Sequence, residues 1–272
     1  MPRAPTLGHV QHGIFVAPFG PFADPHRLMD LGRAVEESGW DGLFVWDHVL
    51  RPESNEIIDT WVALAALATA TQKVRLGPMV VPVPRRRLMK LVREVLTLDL
   101  LSEGRLTLGV GSGTDTGGEL ARFDEVIDPR IRGQRLDEGL RIVARLLEGE
   151  FVVHFGEHYI VDGVSAEPLT VQRPRPPIWC AARGSAMKPV RRAARYEGMF
   201  PIEVDHDSFC RALDEVAAVR GDLDGFDVCL RTEFDGTPPP FAHWGATWLL
   251  RSFPAVSDPV TVFAAVVRGP PR

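Results

Sequence analysis

The sequence predicts an α/β fold: a (β/α)8 TIM barrel with a loop insertion between strands four and five. Three observations predict it. Short apolar runs alternate along the chain with segments whose apolar residues keep helical spacing, the pattern of a parallel sheet covered by helices. Eight such runs can be counted in 272 residues, a length that suits one barrel of this kind. Polar residues follow directly where a run stops, most clearly at Asp47-His48 after Gly42-Leu-Phe-Val-Trp46. In parallel α/β folds, chemistry gathers at the carboxyl ends of the strands. We read residues 1–272 as a single barrel domain, with the insertion at about 114–176.

The elements follow in order. Gly13-Ile-Phe-Val-Ala-Pro18 is strand one. Asp24-Pro25 starts a helix, with an acid at the N-cap and proline at the first helical position. Leu28, Leu31, Ala34 and Val35 carry that helix, and Gly39 ends it before strand two at Leu43. Asp59-Thr-Trp61 opens the next helix. Strand three is Val74 to Val83, where Gly77-Pro78 and Pro82 predict a bulge or a strained peptide. A helix through Leu88, Leu91, Val92, Val95 and Leu98 leads to strand four, Arg105 to Gly113. Thr114 to Pro129 breaks the spacing; Ile131 to Gly149 is helical; Phe151 to Val161 is a small hairpin around Gly156-Glu157. Strands five to eight are Pro177–Ala182, Gly198–Glu203, Phe226–Phe234 and Ala246–Phe253. The seventh is followed only by a short connection, Thr237 to Trp244, and Asp258-Pro259 starts the last helix.

Composition narrows the function. The net charge is −5 and no basic tract appears, which argues against a nucleic-acid groove. No apolar run approaches the roughly 20 residues that span a bilayer, and the N-terminus shows no basic-then-apolar signal segment. Cys180, Cys210 and Cys229 lack zinc-type or disulfide spacing; three buried thiols in a reducing cytoplasm are expected. His9/His12 and His154/His158 lack a supporting acid or cysteine pattern, so we expect surface histidines and no metal site.

Several stretches carry candidate chemistry, each with a plainer alternative. Asp47 and His48 are either an acid–imidazole pair at a strand end or a turn cap beside a solvated histidine. An imidazole is suited to proton transfer near neutral pH. Gly109-Val-Gly-Ser-Gly113 fails the dinucleotide fingerprint, because Thr114 stands where its third glycine belongs. It either lets a flat ring or a phosphate approach the backbone or is a tight turn. Arg183-Gly-Ser185 stands before a helix, where Gly184 and Ser185 either receive a phosphate or serve as an ordinary N-cap. Arg85-Arg-Arg87 either edges an anionic site or is solvated. No G-x-S-x-G nucleophile elbow is present.

The ordered set resembles the luciferase-like flavin-dependent oxidoreductases, including their F420-dependent members. Its carriers are Ala34 to His48, Val74-Arg-Leu-Gly77, Leu98 to Gly113, Arg135-Leu-Asp-Glu-Gly-Leu140, Pro174 to Trp179 and Arg192 to Gly198. The resemblance implies a barrel mouth that binds FMN or coenzyme F420 and a small organic substrate. It implies catalytic roles for His48 and Asp47, with Asp47 also near the cofactor, and a non-proline cis peptide at Met79–Val80 against the ring. Gly111, Ser112, Gly113 and Thr114 would line the ring, and Arg183, Gly184 and Ser185 the phosphate. With FMN, a partner NAD(P)H:flavin reductase would supply reduced cofactor for oxygenation; with F420, hydride would pass to or from the substrate. The resemblance also admits a homodimer. The sequence departs from the family where some F420 enzymes carry a glutamate: Thr114 stands there, with Asp115 beside it. The alternatives are a flavin-binding barrel without turnover and a metal-dependent barrel hydrolase.

Overall fold

The computed structural model describes residues 10–233 and 235–271. His9, Phe234 at the end of the expected seventh strand, and the rest of residues 1–9 with Arg272 lie outside the described residues. Eight positions around one parallel sheet are filled by β1 (Gln11–Val16), β2 (Gly42–Val45), β3 (Arg75–Pro78) with β4 (Val81–Pro82), β5 (Leu108–Gly111), β8 (Ile178–Arg183), β9 (Gly198–Ile202), β10 (Asp227–Thr232) and β11 (Trp248–Ser252). The order is β3-β2-β1-β11-β10-β9-β8-β5-β4. β3 and β4 are halves of one strand, broken at the cis peptide Met79–Val80. A parallel bridge between Leu76 and Leu106 joins the ends of that order. Leu76 N–H donates to Arg105 O at 3.0 Å and Thr107 N–H to Leu76 O at 2.8 Å. The sheet is thus a closed ring, as the sequence predicts.

Among the described residues seven α-helices cover it: α1 (Pro25–Glu37), α2 (Thr60–Ala70), α3 (Leu88–Leu101), α4 (Pro129–Leu147), α5 (Met187–Ala193), α6 (His206–Arg220) and α7 (Pro259–Val266). Asp24, Asp59, Asp128, Asp205 and Asp258 each accept a backbone N–H at a helix start, satisfying donors that a helix leaves open. After β10 the described residues of the connection hold a 3-10 turn, Ala242–Trp244, and no α-helix.

Alternation along the strands divides the core in two. Ile14, Val16, Leu43, Val45, Leu108, Val110 and Ile178 face the helices. Phe15, Phe44, Met79, Trp179, Phe200, Cys229, Trp248 and Leu250 fill the barrel. Phe44, Trp179 and Trp248 form a plug, with Phe44–Trp179 centroids 5.7 Å apart and Trp179–Trp248 5.5 Å apart. The broken strand bulges inward, and β5 makes room for it. A Cβ at Gly109 would lie 2.3 Å from Pro78 O and 2.5 Å from Met79 Sδ; one at Gly111 would lie 2.8 Å from Val80 Cγ2. The space these glycines free is occupied by Met79 and Val80, not held open for a ligand.

Between β5 and β8 runs the long segment expected as an insertion. Helix α4 lies inside it and packs on α3 as the barrel's fourth helix. The additional parts are the loop 112–128 and the segment 148–177, which holds an antiparallel hairpin of β6 (Val152–Phe155) and β7 (Ile160–Val164). His154 and His158 are not free surface histidines. Glu138, on α4, accepts from His154 Nε2 at 2.9 Å, from Tyr159 N–H at 2.9 Å and from His158 N–H at 3.2 Å, which fastens the hairpin tip. Cys180 and Cys229 are buried as expected, whereas Cys210 on α6 is half-exposed.

Candidate active site

The plug leaves the carboxyl end of the barrel open as a cavity of about 420 Å³, a size that suits a small organic ligand. The strand ends build its walls. Asp47 and His48 enter from just beyond β2, Met79 and Val80 from the break in strand three, and Gly111, Ser112, Gly113 and Thr114 from the end of β5. Arg183 enters from β8, and Phe15, Trp46, Ala181, Phe200 and Ile202 supply the apolar surface. Nine of the expected site residues therefore share one cavity. Gly184 and Ser185 do not line it. Helix α5 begins after Ala186, and no side chain caps it, so Ser185 is not its N-cap.

One wall is a chain of ionic hydrogen bonds. Arg86 Nη2 donates to Asp47 Oδ1 at 2.8 Å and Oδ2 at 2.6 Å; Arg85 Nη2 lies 3.3 Å from Asp47 Oδ1. Arg85 Nη1 also donates to Glu119 Oε2 at 2.8 Å. Glu119 Oε1 lies 2.8 Å from His48 Nδ1. The carboxylate that partners His48 is thus Glu119, and Asp47 is engaged by two guanidinium groups. Burial acts to raise the Glu119 carboxyl. The hydrogen bond and charge of His48, the Val49 N–H and Arg85 outweigh it and hold the group below its ordinary value. Burial likewise works against the charge of Arg86, but Asp47 reverses the balance and its pKa is raised.

The opposite wall is cationic. Arg183 is ion-paired with Glu203 at the rim, and Arg192 with Asp137 at 2.6 Å. Arg231 has no hydrogen-bonding or ion-pair partner among the described residues; its guanidinium lies 5.9 Å from the Phe15 ring centroid. Its side chain is exposed at the cavity mouth, where partial desolvation by its surroundings pulls its pKa down. Arg231, Ile202 and Glu203 also border a neighbouring cavity of about 240 Å³.

The sequence alone did not single out Glu119. It stands on the loop 112–128, five residues after Thr114. Asp115 Oδ1 accepts from Leu120 N–H at 2.6 Å and Ala121 N–H at 3.1 Å, folding the loop so that Glu119 is buried at 2% exposure. The visible signal was an acid directly before Leu120-Ala121 in a polar loop. The basic run Arg85-Arg-Arg87 was visible, but two of its members turn inward to Asp47 instead of edging an open anion site. Among the described residues, no three His, Cys, Asp or Glu side chains converge as a metal site. No described helix is long and apolar enough to cross a membrane.

Comparisons with known proteins bear on the family and the fold. The oxygenase component of flavin-dependent trigonelline monooxygenase from Acinetobacter baylyi is 36% identical over 162 residues, 58% of this chain and 43% of that protein. F420-dependent glucose-6-phosphate dehydrogenase from Microbacterium testaceum is 31% identical over 166 residues, 60% of this chain and 48% of that protein. The chain thus spans about half the length of these curated relatives. Coenzyme F420 dependent tetrahydromethanopterin reductase from Methanopyrus kandleri superposes with a TM-score of 0.78 at 16% identity, covering 95% of this chain and 97% of that one, a likeness of fold. The family model described as luciferase-like monooxygenase matches residues 6–234. The chain belongs to the luciferase-like monooxygenase family.

Proposed function

We propose that this protein is an FMN- or F420-dependent oxidoreductase that acts on a small organic substrate at the barrel mouth. The observation that carries the reading is His48, an imidazole tied at Nδ1 to a buried carboxylate and facing the same cavity as the broken strand. The cavity suits a flat ring with an anionic tail. Val80, Ala181, Phe15 and Phe200 offer apolar surface to a ring, and Trp46 Nε1 is buried without a partner among the described residues. A buried indole N–H ordinarily has an acceptor, so a polar edge of a ligand fits there. Arg231, unpaired, and Arg183 supply charge for a phosphate, while Gly184 and Ser185 would meet only the end of such a tail.

When bound, the cofactor supplies either oxygen activation (FMN) or hydride transfer (F420). The chain's own residues do the rest. Met79, Val80 and the backbone of Gly111 to Thr114, which line the cavity, would hold the ring. His48 exchanges a proton with the substrate. Asp47, held by Arg85 and Arg86, shapes the wall. With FMN a separate flavin reductase would provide the reduced form. Three unpaired cysteines suit a cytoplasmic setting. The test is fluorescence titration of the purified protein with FMN and with F420, followed by turnover of the reduced or oxidised cofactor with candidate substrates. Binding of neither cofactor refutes the proposal, and binding without turnover identifies a flavin-binding barrel instead.

A further inference from the structure

His48 has two ring nitrogens, and only Nδ1 has a hydrogen-bond partner among the described residues, Glu119 Oε1 at 2.8 Å. The two oxygens of Glu119 are used differently. Oε2 accepts from Val49 N–H at 3.1 Å and from Arg85 Nη1 at 2.8 Å. Both of those groups are donors only. Oε1 is left to the imidazole. The carboxylate is buried and flanked by a guanidinium, which keeps it ionised, and an ionised carboxylate can only accept. His48 must then place its proton on Nδ1.

We propose that Glu119 is a positioning residue that fixes His48 as the Nδ1–H tautomer and so presents Nε2 to the cavity as a lone-pair base. This rests on the proposed function for its catalytic consequence. In that reading, a proton leaving the substrate is taken by Nε2, and the imidazolium so formed remains paired with Glu119. Glu119 itself acts through His48, and Arg85 holds it in place while bridging to Asp47. The glutamate thus sits five residues beyond Thr114, and the loop fold capped by Asp115 brings it to the imidazole.

The division of labour between the two oxygens predicts what an isosteric change does. In Glu119→Gln, the two donors at the Oε2 position claim the single remaining carbonyl. The amide NH2 group then faces Nδ1. That group only donates, so Nδ1 must accept and the ring proton moves to Nε2. Size and packing are unchanged, yet the lone pair has left the cavity.

The test is long-range 1H–15N NMR of cofactor-free protein carrying 15N-histidine, recorded at a pH where the imidazole rings are neutral and assigned with His48→Gln. The wild type should show the Nδ1–H tautomer and Glu119→Gln the Nε2–H tautomer. A wild type in the Nε2–H form, or a substitution that leaves the tautomer unchanged, overturns the proposal. The wild-type spectrum can do so alone, whatever the stability of the variant. In the loaded enzyme, Glu119→Gln should lower kcat by about 10²–10⁴-fold, the range a positioned base contributes, with a much smaller change in KM. Titration of the wild type with FMN and F420 tests the proposed function separately, so failure to bind would refute that reading and leave the tautomer result standing.

Discussion

Replacing Arg86 with methionine strips Asp47 of its principal partner. The Asp47 side chain is 2% exposed and that of Arg86 19% exposed, and the guanidinium meets both carboxylate oxygens, at 2.8 and 2.6 Å. Methionine keeps much of the stem's packing, so the substitution isolates the charge. Removing one partner of a buried ion pair costs about 3–5 kcal/mol, because the survivor is left uncompensated. Arg85 still faces Asp47 at 3.3 Å, which places the expected loss at the lower end, about 3 kcal/mol. At about 2–4 °C per kcal/mol for a domain approaching this size, the melting temperature should fall by about 6–12 °C. Circular dichroism melts and denaturant midpoints read this directly. Adding Asp47→Asn to Arg86→Met removes the stranded charge and should recover much of the loss. A shift of less than about 2 °C, or a double variant less stable than Arg86→Met, would refute the reasoning.

Four further outcomes are expected. Gly111→Ala puts a Cβ 2.8 Å from Val80 Cγ2 and 3.6 Å from Ala181 Cβ; Val80 must turn into the cavity, and FMN or F420 affinity should drop at least about tenfold, an unchanged affinity contradicting the ring's placement. Arg231→Gln should weaken FMN about tenfold, the lower range of a charged hydrogen bond, while riboflavin, which lacks the phosphate, binds as before; equal losses for both would be inconsistent. Glu119 and Glu138 titrate below the ordinary glutamate value of 4.5 in the folded protein. A depressed carboxyl contributes stability that is present above its unfolded pKa and lost as pH falls through the folded one, so the denaturant midpoint should fall on acidification below 4.5. Glu119→Gln should flatten that fall, and an unaltered acid slope would count against it. Burial pushes the Cys180 thiol up to about 12 and the Cys229 thiol well above its ordinary range. Only Cys210 should therefore react with a thiol reagent in the native protein, and two accessible thiols would contradict the burial.

The ring was legible because strands buried on both faces read as continuous apolar runs, as Leu43-Phe-Val45 and Ile178-Trp-Cys180 do. Asp-Pro pairs marked helix starts at residues 24 and 258 for the same physical reason that they cap them, whereas the like pair Asp128-Pro129, where α4 opens, lies in a stretch whose sequence reads as loop up to Pro129. An irregularity in strand three was legible through its prolines, and the family resemblance put it at Met79–Val80, where the cis bond is found. Asp47 and His48 could be found because they adjoin one strand end. Their partners could not. Glu119 is 71 residues from His48, in a loop that also holds Asp115, Asp124 and Glu125, and nothing local says which acid turns inward. The roles of Arg85 and Arg86 depend on a 3-10 turn, Val83–Arg85, that aims them at Asp47. Gly184 and Ser185 looked like a helix start because the apolar spacing of α5 begins near them, yet the helix opens only at Met187.

Ring closure has a cost during synthesis. β1 pairs with β11, and nearby Trp40 donates its indole N–H to Val266 O, 226 residues away in sequence. At about 5–20 residues per second, the ribosome needs on the order of ten to forty seconds to cover that separation. Throughout that interval the nascent first strand, Ile14-Phe-Val16, has no neighbour on one edge and no finished core beneath it. The enclosure that serves a finished enzyme thus makes its newborn chain a client for any chaperone that shields sticky strands beside the exit tunnel.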